Sequence, residues 1–126
     1  MAKNVLYTVE VPVRCSPNIL FEYLSTATGL QEWFADEVNI KGDELVFIWS
    51  QSEEVATVVE KEPNKRIRFH WVESPEEEYF EFDVKRSEVT RETVLLITDF
   101  AEKDEIEDQT RLWESQLQDL FYHIGA

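Results

Sequence analysis

The chain has 126 residues, 43% of them hydrophobic and 13% aromatic, which fits one domain able to bury a core of its own. Its 12 basic and 27 acidic side chains give a net charge of −15, a field that repels phosphate backbones and anionic membrane surfaces alike. Nucleic acid is therefore not an expected partner. Cys15 is the only cysteine, so an internal disulfide is excluded and a reducing, cytoplasmic setting is expected. The N-terminal residues run straight into an alternating pattern, and no stretch approaches the ~20 apolar residues of a membrane span. Membrane insertion is not expected.

In chain order, Val5, Tyr7, Val9 and Val11 alternate with polar residues, which predicts a half-buried strand closed by Pro12. Ser16-Pro17 then opens a helix, serine as cap and proline at the first helical position, with Ile19, Leu20, Tyr23 and Leu24 on one face. Thr28-Gly29-Leu30-Gln31 has the form of a capping box and predicts a second short helix carrying Leu30, Trp33 and Phe34.

From Glu37 the period returns to two. Glu37–Lys41 and Glu44–Trp49 flank the turn pair Gly42-Asp43. Val55–Lys61, Lys65–Val72, Tyr79–Arg86 and Thr93–Phe100 follow as further strands, separated by Pro63-Asn64 and Ser74-Pro75. The last of them is apolar on both faces, the mark of a central or doubly covered strand. At Asp104 the period becomes helical. Ile106, Thr110, Trp113, Leu117, Leu120, Phe121 and Ile124 recur at three and four, with Asp104 expected as the cap and Gly125 as the stop. The fold class is thus α+β: a single domain over 1–126, with an antiparallel sheet of six or seven strands, two short helices after the first strand and a long C-terminal helix across the sheet.

This order resembles the helix-grip fold of the START-like superfamily, which includes START domains, the birch-pollen allergen and polyketide cyclases. Ser16-Pro17, Trp33-Phe34 and the run Trp113-Glu114-x-x-Leu117-x-x-Leu120 to Gly125-Ala126 are similar to the branch named for the heat-shock ATPase activator. The resemblance spans almost the whole chain and rests on packing signatures rather than chemistry. Many members of that branch approach the final helix through glycines. Here the approach is the charged Ala101-Glu102-Lys103-Asp104, which implies a different pocket rim.

A helix laid across a concave sheet either fills the groove or leaves a cavity. The candidate lining is Trp33, Phe47, Trp49, Phe69, Trp71, Phe80, Phe82, Trp113 and Leu117, with Asp99 as its polar member. Rings of this kind line ligand pockets, and they equally pack on one another in dense interiors. Asp99 shares a face with Leu95 and Ile97, so it is either partly buried, needing a partner or a raised pKa, or the loose end of a strand. His70 is expected in solvent beside Arg66 and Arg68. His123 falls in the last helical turn, and the two histidines have no metal-ligand spacing. No metal and no cofactor are expected. Cys15 reads as a small, semi-buried side chain.

The acidic clusters are Glu53-Glu54, Glu76-Glu77-Glu78 and Glu102 to Asp108. In hairpin tips they would simply be solvated; as one continuous rim they would steer a basic partner. Three functions follow. The first is a non-catalytic module holding a hydrophobic small molecule or lipid in the groove. The second is a co-chaperone-like protein-interaction domain using an acidic face. The third and weakest is a cyclase-type enzyme with Asp99 moving the proton, since no acid and base are visibly paired.

Overall fold

A computed structural model describes residues 3–125. Strand β1 (Asn4–Val13) leads into helices α1 (Pro17–Ser25) and α2 (Ala27–Trp33). Six strands follow: β2 (Glu37–Lys41), β3 (Glu44–Trp49), β4 (Ser52–Glu62), β5 (Arg66–Trp71), β6 (Phe80–Arg86) and β7 (Thr93–Glu102). A single 3-10 turn at Lys103–Glu105 then opens the long helix α3 (Ile106–Ile124). The seven strands form one curved antiparallel sheet in the order β1-β7-β6-β5-β4-β3-β2. Strands β2 to β7 are a simple meander, and only β1 finds its partner across the length of the chain, pairing Tyr7 with Asp99 and Val13 with Thr93. Among these residues no helix is long and apolar enough to cross a membrane.

The sheet buries one face. Phe47, Phe69, Phe80, Phe82, Leu95 and Ile97 are all within 1% of complete burial, and from the helices Leu20, Leu24, Leu30, Leu117 and Leu120 meet them. Helix α3 turns Trp113, Leu117 and Leu120 inward at the spacing its sequence predicts, and Gly125 ends it with a left-handed φ of 75° that a side chain would resist.

Several expectations give way in detail. Thr26 rather than Thr28 caps α2: its Oγ1 accepts from the Gly29 amide at 2.9 Å, and Thr28 lies inside the helix. The side chain of Asp104 does not cap α3; that residue sits in the 3-10 turn, and Glu105 precedes the helix without a side-chain cap. In α1 the buried set is Leu20, Phe21 and Leu24, while Ile19 is half exposed. Val5 is likewise exposed, near the open end of the edge strand β1. β7 is flanked by β1 and β6, but Val94 and Leu96 on its outer face are only half-buried, so the strand is covered on one side rather than two.

The outer face carries its own polar order. Glu81 is buried there beneath Arg68, which donates to it at 2.9 Å, and the Arg68 guanidinium lies 3.8 Å over the Tyr79 ring. His70 is not free in solvent: its Nδ1 is 2.8 Å from the Glu78 carbonyl.

Candidate functional site

The alternation of β3, β5 and β6 places Phe47, Trp49, Phe69, Trp71, Phe80 and Phe82 on the concave face, each strand contributing residues two apart. Antiparallel pairing then stacks them: Phe69 faces Phe80 at 4.7 Å and 12°, and Trp71 faces Phe80 at 4.8 Å and 28°. Trp33 reaches Phe82 at 5.5 Å while its indole donates to the Tyr23 carbonyl. Trp113 stands edge-on to Phe82 at 5.8 Å. Leu117, one helical turn on, is buried in the same core. The ten residues singled out by sequence therefore share one groove and its end.

What occupies that groove is Phe34. It caps the C-terminus of α2, and its ring stacks on Trp113 at 5.6 Å and on Phe80 at 5.7 Å, with Phe47 edge-on at 5.1 Å. Two side chains hold its backbone: Trp49 Nε1 donates to the Phe34 carbonyl at 3.0 Å and Gln116 Nε2 donates to it at 3.1 Å. Outside this latch lies a cleft of about 330 Å³, whose walls include Trp49, Gln116 and three carboxylates, Glu32, Asp36 and Asp119.

The polar member is not a strand end. Asp99 lies inside β7, opposite Tyr7, beneath α3. The Tyr7 hydroxyl donates to its Oδ2 at 3.2 Å, Trp113 Nε1 donates at 3.1 Å both to that oxygen and to the Tyr7 oxygen, and the Phe100 amide donates to Oδ1 at 2.8 Å. Every one of these partners is a donor, so the carboxylate is arranged as an acceptor. Burial nevertheless pushes its pKa up, with Glu78 adding repulsion against the relief that the donors supply. Burial and the Asp99 charge push the Tyr7 phenol up as well. In the sequence Tyr7 is simply one apolar position in a strand, with nothing to mark it as the partner of Asp99.

A sign follows. A carboxyl whose pKa is higher folded than unfolded contributes most below the ordinary carboxylate range, and that contribution is lost as pH rises through the folded value. Asp99→Asn removes the partly buried charge and keeps an acceptor oxygen for Tyr7 and Trp113, while its amide NH2 then faces the Phe100 amide, another donor. The variant is expected to have a flatter stability slope through the acidic range than wild type. Thermal melts from pH 3 to 8 check this, and an unchanged slope would refute it.

Beside Asp99 a second opening of about 340 Å³ is lined by Trp71, Ser74, Glu78, Glu102, Glu105 and Gln109, among others. Trp71 and Ser74 also line a third, of about 240 Å³, together with Glu53, Glu54 and Glu73. The three acidic clusters thus meet around one end of the groove. Glu53 and Glu54 are not in a hairpin tip, as expected, but within β4, paired with Ile48 and Phe47. Cys15 is half-buried, and burial raises its thiol pKa. His123 lies 3.3 Å from Glu32.

A curved sheet wrapped around a long helix, with an aromatic interior, is the helix-grip architecture. A sequence model described as a START-like superfamily domain matches residues 1–126, and the chain belongs to that superfamily. It is similar to a Bacteroides fragilis protein solved by solution NMR, at 34% identity over 98% of this chain and 91% of that one, with a TM-score of 0.64. The Aha1 dimer from Colwellia psychrerythraea superposes with a TM-score of 0.77 at 20% identity, over 92% of each chain. A Mesorhizobium loti protein does so at 0.74 and 15% identity, over 92% of this chain and 93% of that one. At such identities the last two speak to fold alone. No curated protein matches the chain.

Proposed function

We propose that the protein is a non-catalytic binding module that takes a hydrophobic small molecule into the groove between the sheet and α3, in the place now held by the Phe34 ring. The observation that carries this reading is the plug itself. Phe34 is supplied by the end of a seven-residue helix, not by the sheet, and is fixed by two side-chain hydrogen bonds next to an open cleft. Rotating it outward exposes the faces of Trp113, Phe80 and Phe47, an apolar lining of the kind that small-molecule sites use. Carboxylates stand at both openings: Glu32, Asp36 and Asp119 at one, Glu78, Asp99, Glu102 and Glu105 at the other. The ligand is accordingly neutral or cationic, since an anion would meet like charge at either entrance.

The test is a titration of tryptophan emission with two probes, neutral N-phenyl-1-naphthylamine and anionic anilinonaphthalene sulfonate. The neutral probe is expected to quench saturably and the anionic one to bind less well. Phe34→Ala, and the gentler Phe34→Leu, should bind the neutral probe more tightly because the groove no longer has to be emptied. Refusal of the neutral probe by wild type and by both variants would overturn the reading. The meeting of three acidic clusters around Trp71 favours a second one, an interaction face for a basic protein segment. Probe refusal combined with salt-sensitive binding of a lysine-rich peptide would put that reading first; no peptide binding at low salt would remove it.

A further inference from the structure

The chain has six arginines. Three are paired with carboxylates: Arg66 with Glu60, Glu62 and Glu81, Arg68 with Glu60 and Glu81, and Arg111 with Glu107 and Asp108. Among the described residues the other three, Arg14, Arg86 and Arg91, have no carboxylate oxygen within 4.0 Å. In a chain with 27 acidic residues to 12 basic ones, an arginine meets an acid by default. That all three unpaired arginines line one cleft is the feature to be explained.

The cleft, about 470 Å³, sits where β1 leaves the sheet and β7 enters it. Arg14 comes from the segment between β1 and α1, Arg86 from the last residue of β6, and Arg91 from the turn before β7. Sequence separation hides the cluster; the β1–β7 and β6–β7 ladders assemble it, pairing Thr93 with both Val13 and Arg86. Arg86 Nε donates to the Arg91 carbonyl at 3.1 Å, which ties two of the cations to one turn. Arg91 itself has a φ of 63°, in the left-handed region that non-glycine residues seldom adopt. Local bonds impose that conformation: the Arg91 amide donates to the Ser87 carbonyl at 2.8 Å, and the Ser87 amide donates to the Glu92 carbonyl at 2.9 Å. Glu92 is the acid in the lining, and it forms no ion pair with any of the three.

We propose that this cleft binds an oxyanion, the phosphate or carboxylate end of a small molecule. The guanidinium fork matches both groups in shape and charge, and three forks gathered without internal counterions are an incomplete constellation that such a group completes. A compact anion is favoured over a polymer. Within about one Debye length, ~8 Å, it feels the local cations, whereas an extended polyanion also meets the net charge of −15. The site is separate from the aromatic groove. Asp99 lies six residues along β7 from Thr93, roughly 20 Å of strand, so the protein carries a basic end and an acidic end.

The experiment is amide-resolved NMR titration at low ionic strength with pyrophosphate and, separately, citrate. Saturable shifts confined to residues around Arg14, Arg86, Arg91 and Thr93 are expected. Arg86→Gln and Arg91→Gln should each weaken binding roughly tenfold or more, since each removes a charge-assisted bond. Arg111→Gln, on the exposed face of α3, should leave it unchanged. Tighter pyrophosphate would assign a phosphate-bearing ligand and tighter citrate a carboxylate one, and either supports the site. Shifts that fail to saturate, or an equal loss in Arg111→Gln, would overturn it.

Discussion

Replacing Trp113 with alanine is expected to destabilise the protein by roughly 3–5 kcal/mol, as for a packed indole in a closed core. The indole is 6% exposed and touches Phe34, Phe80 and Phe82 with its ring. Its N–H also supplies one of the donors to Asp99. Alanine therefore creates a cavity and strips a donor from a half-buried carboxylate. Trp113→Phe helps to separate the two contributions, because it removes the N–H while keeping an aromatic ring and most of the packed volume. Its cost should be smaller, roughly 1–3 kcal/mol for the unsatisfied acceptor, and Asp99→Asn in the same background should recover part of it. Urea denaturation of the four proteins checks this. A loss below about 1 kcal/mol for Trp113→Ala would mean that the groove is not closed around the indole as the ring distances show.

The sequence is most legible where its signal is local and periodic. Alternation in β5 and β6 named Phe69, Phe80 and Phe82, and the three-four spacing of α3 named Trp113 and Leu117, because each pattern states which face is buried. The same pattern failed for Phe34. As the residue that caps α2 it belongs to no periodic face, so nothing local says that it fills the groove. The pairing of Tyr7 with Asp99 is not legible for another reason. Their contact depends on pairing the first strand with the last, 92 residues apart, and a one-residue slip of β1 would turn Tyr7 away from Asp99. The cap of α2 is a third case: Thr26 and Thr28 are both able caps, and only the packing of α2 on α1 decides between them.

That packing makes Gly29→Ala the other substitution of large effect, and one whose sign reverses the usual rule. In a solvent-exposed helix, alanine for glycine is worth up to about 1 kcal/mol of added stability. Gly29 lies inside α2 where that helix crosses α1, and a Cβ built there would stand 2.2 Å from the Glu22 carbonyl oxygen and 2.6 Å from the Tyr23 Cα. Both obstacles are backbone, so no side chain can swing aside to relieve the clash. The helices must separate. The substitution is expected to cost about 3 kcal/mol, at the upper end for overpacking, and to lower Tm by roughly 10 °C in a domain of this size. The displaced helix is the one that carries Trp33 and presents Phe34, so the damage should not stay at the crossing. Moving α2 outward draws on the Trp33 indole bond to Tyr23 and on the two bonds that latch the Phe34 carbonyl. Gly29→Ala should therefore bind the neutral naphthylamine probe more tightly than wild type at temperatures where it remains folded. A Tm equal to or above that of wild type would show that the helices are not in contact at Gly29. A lowered Tm without tighter probe binding would show that α2 can move without releasing the ring.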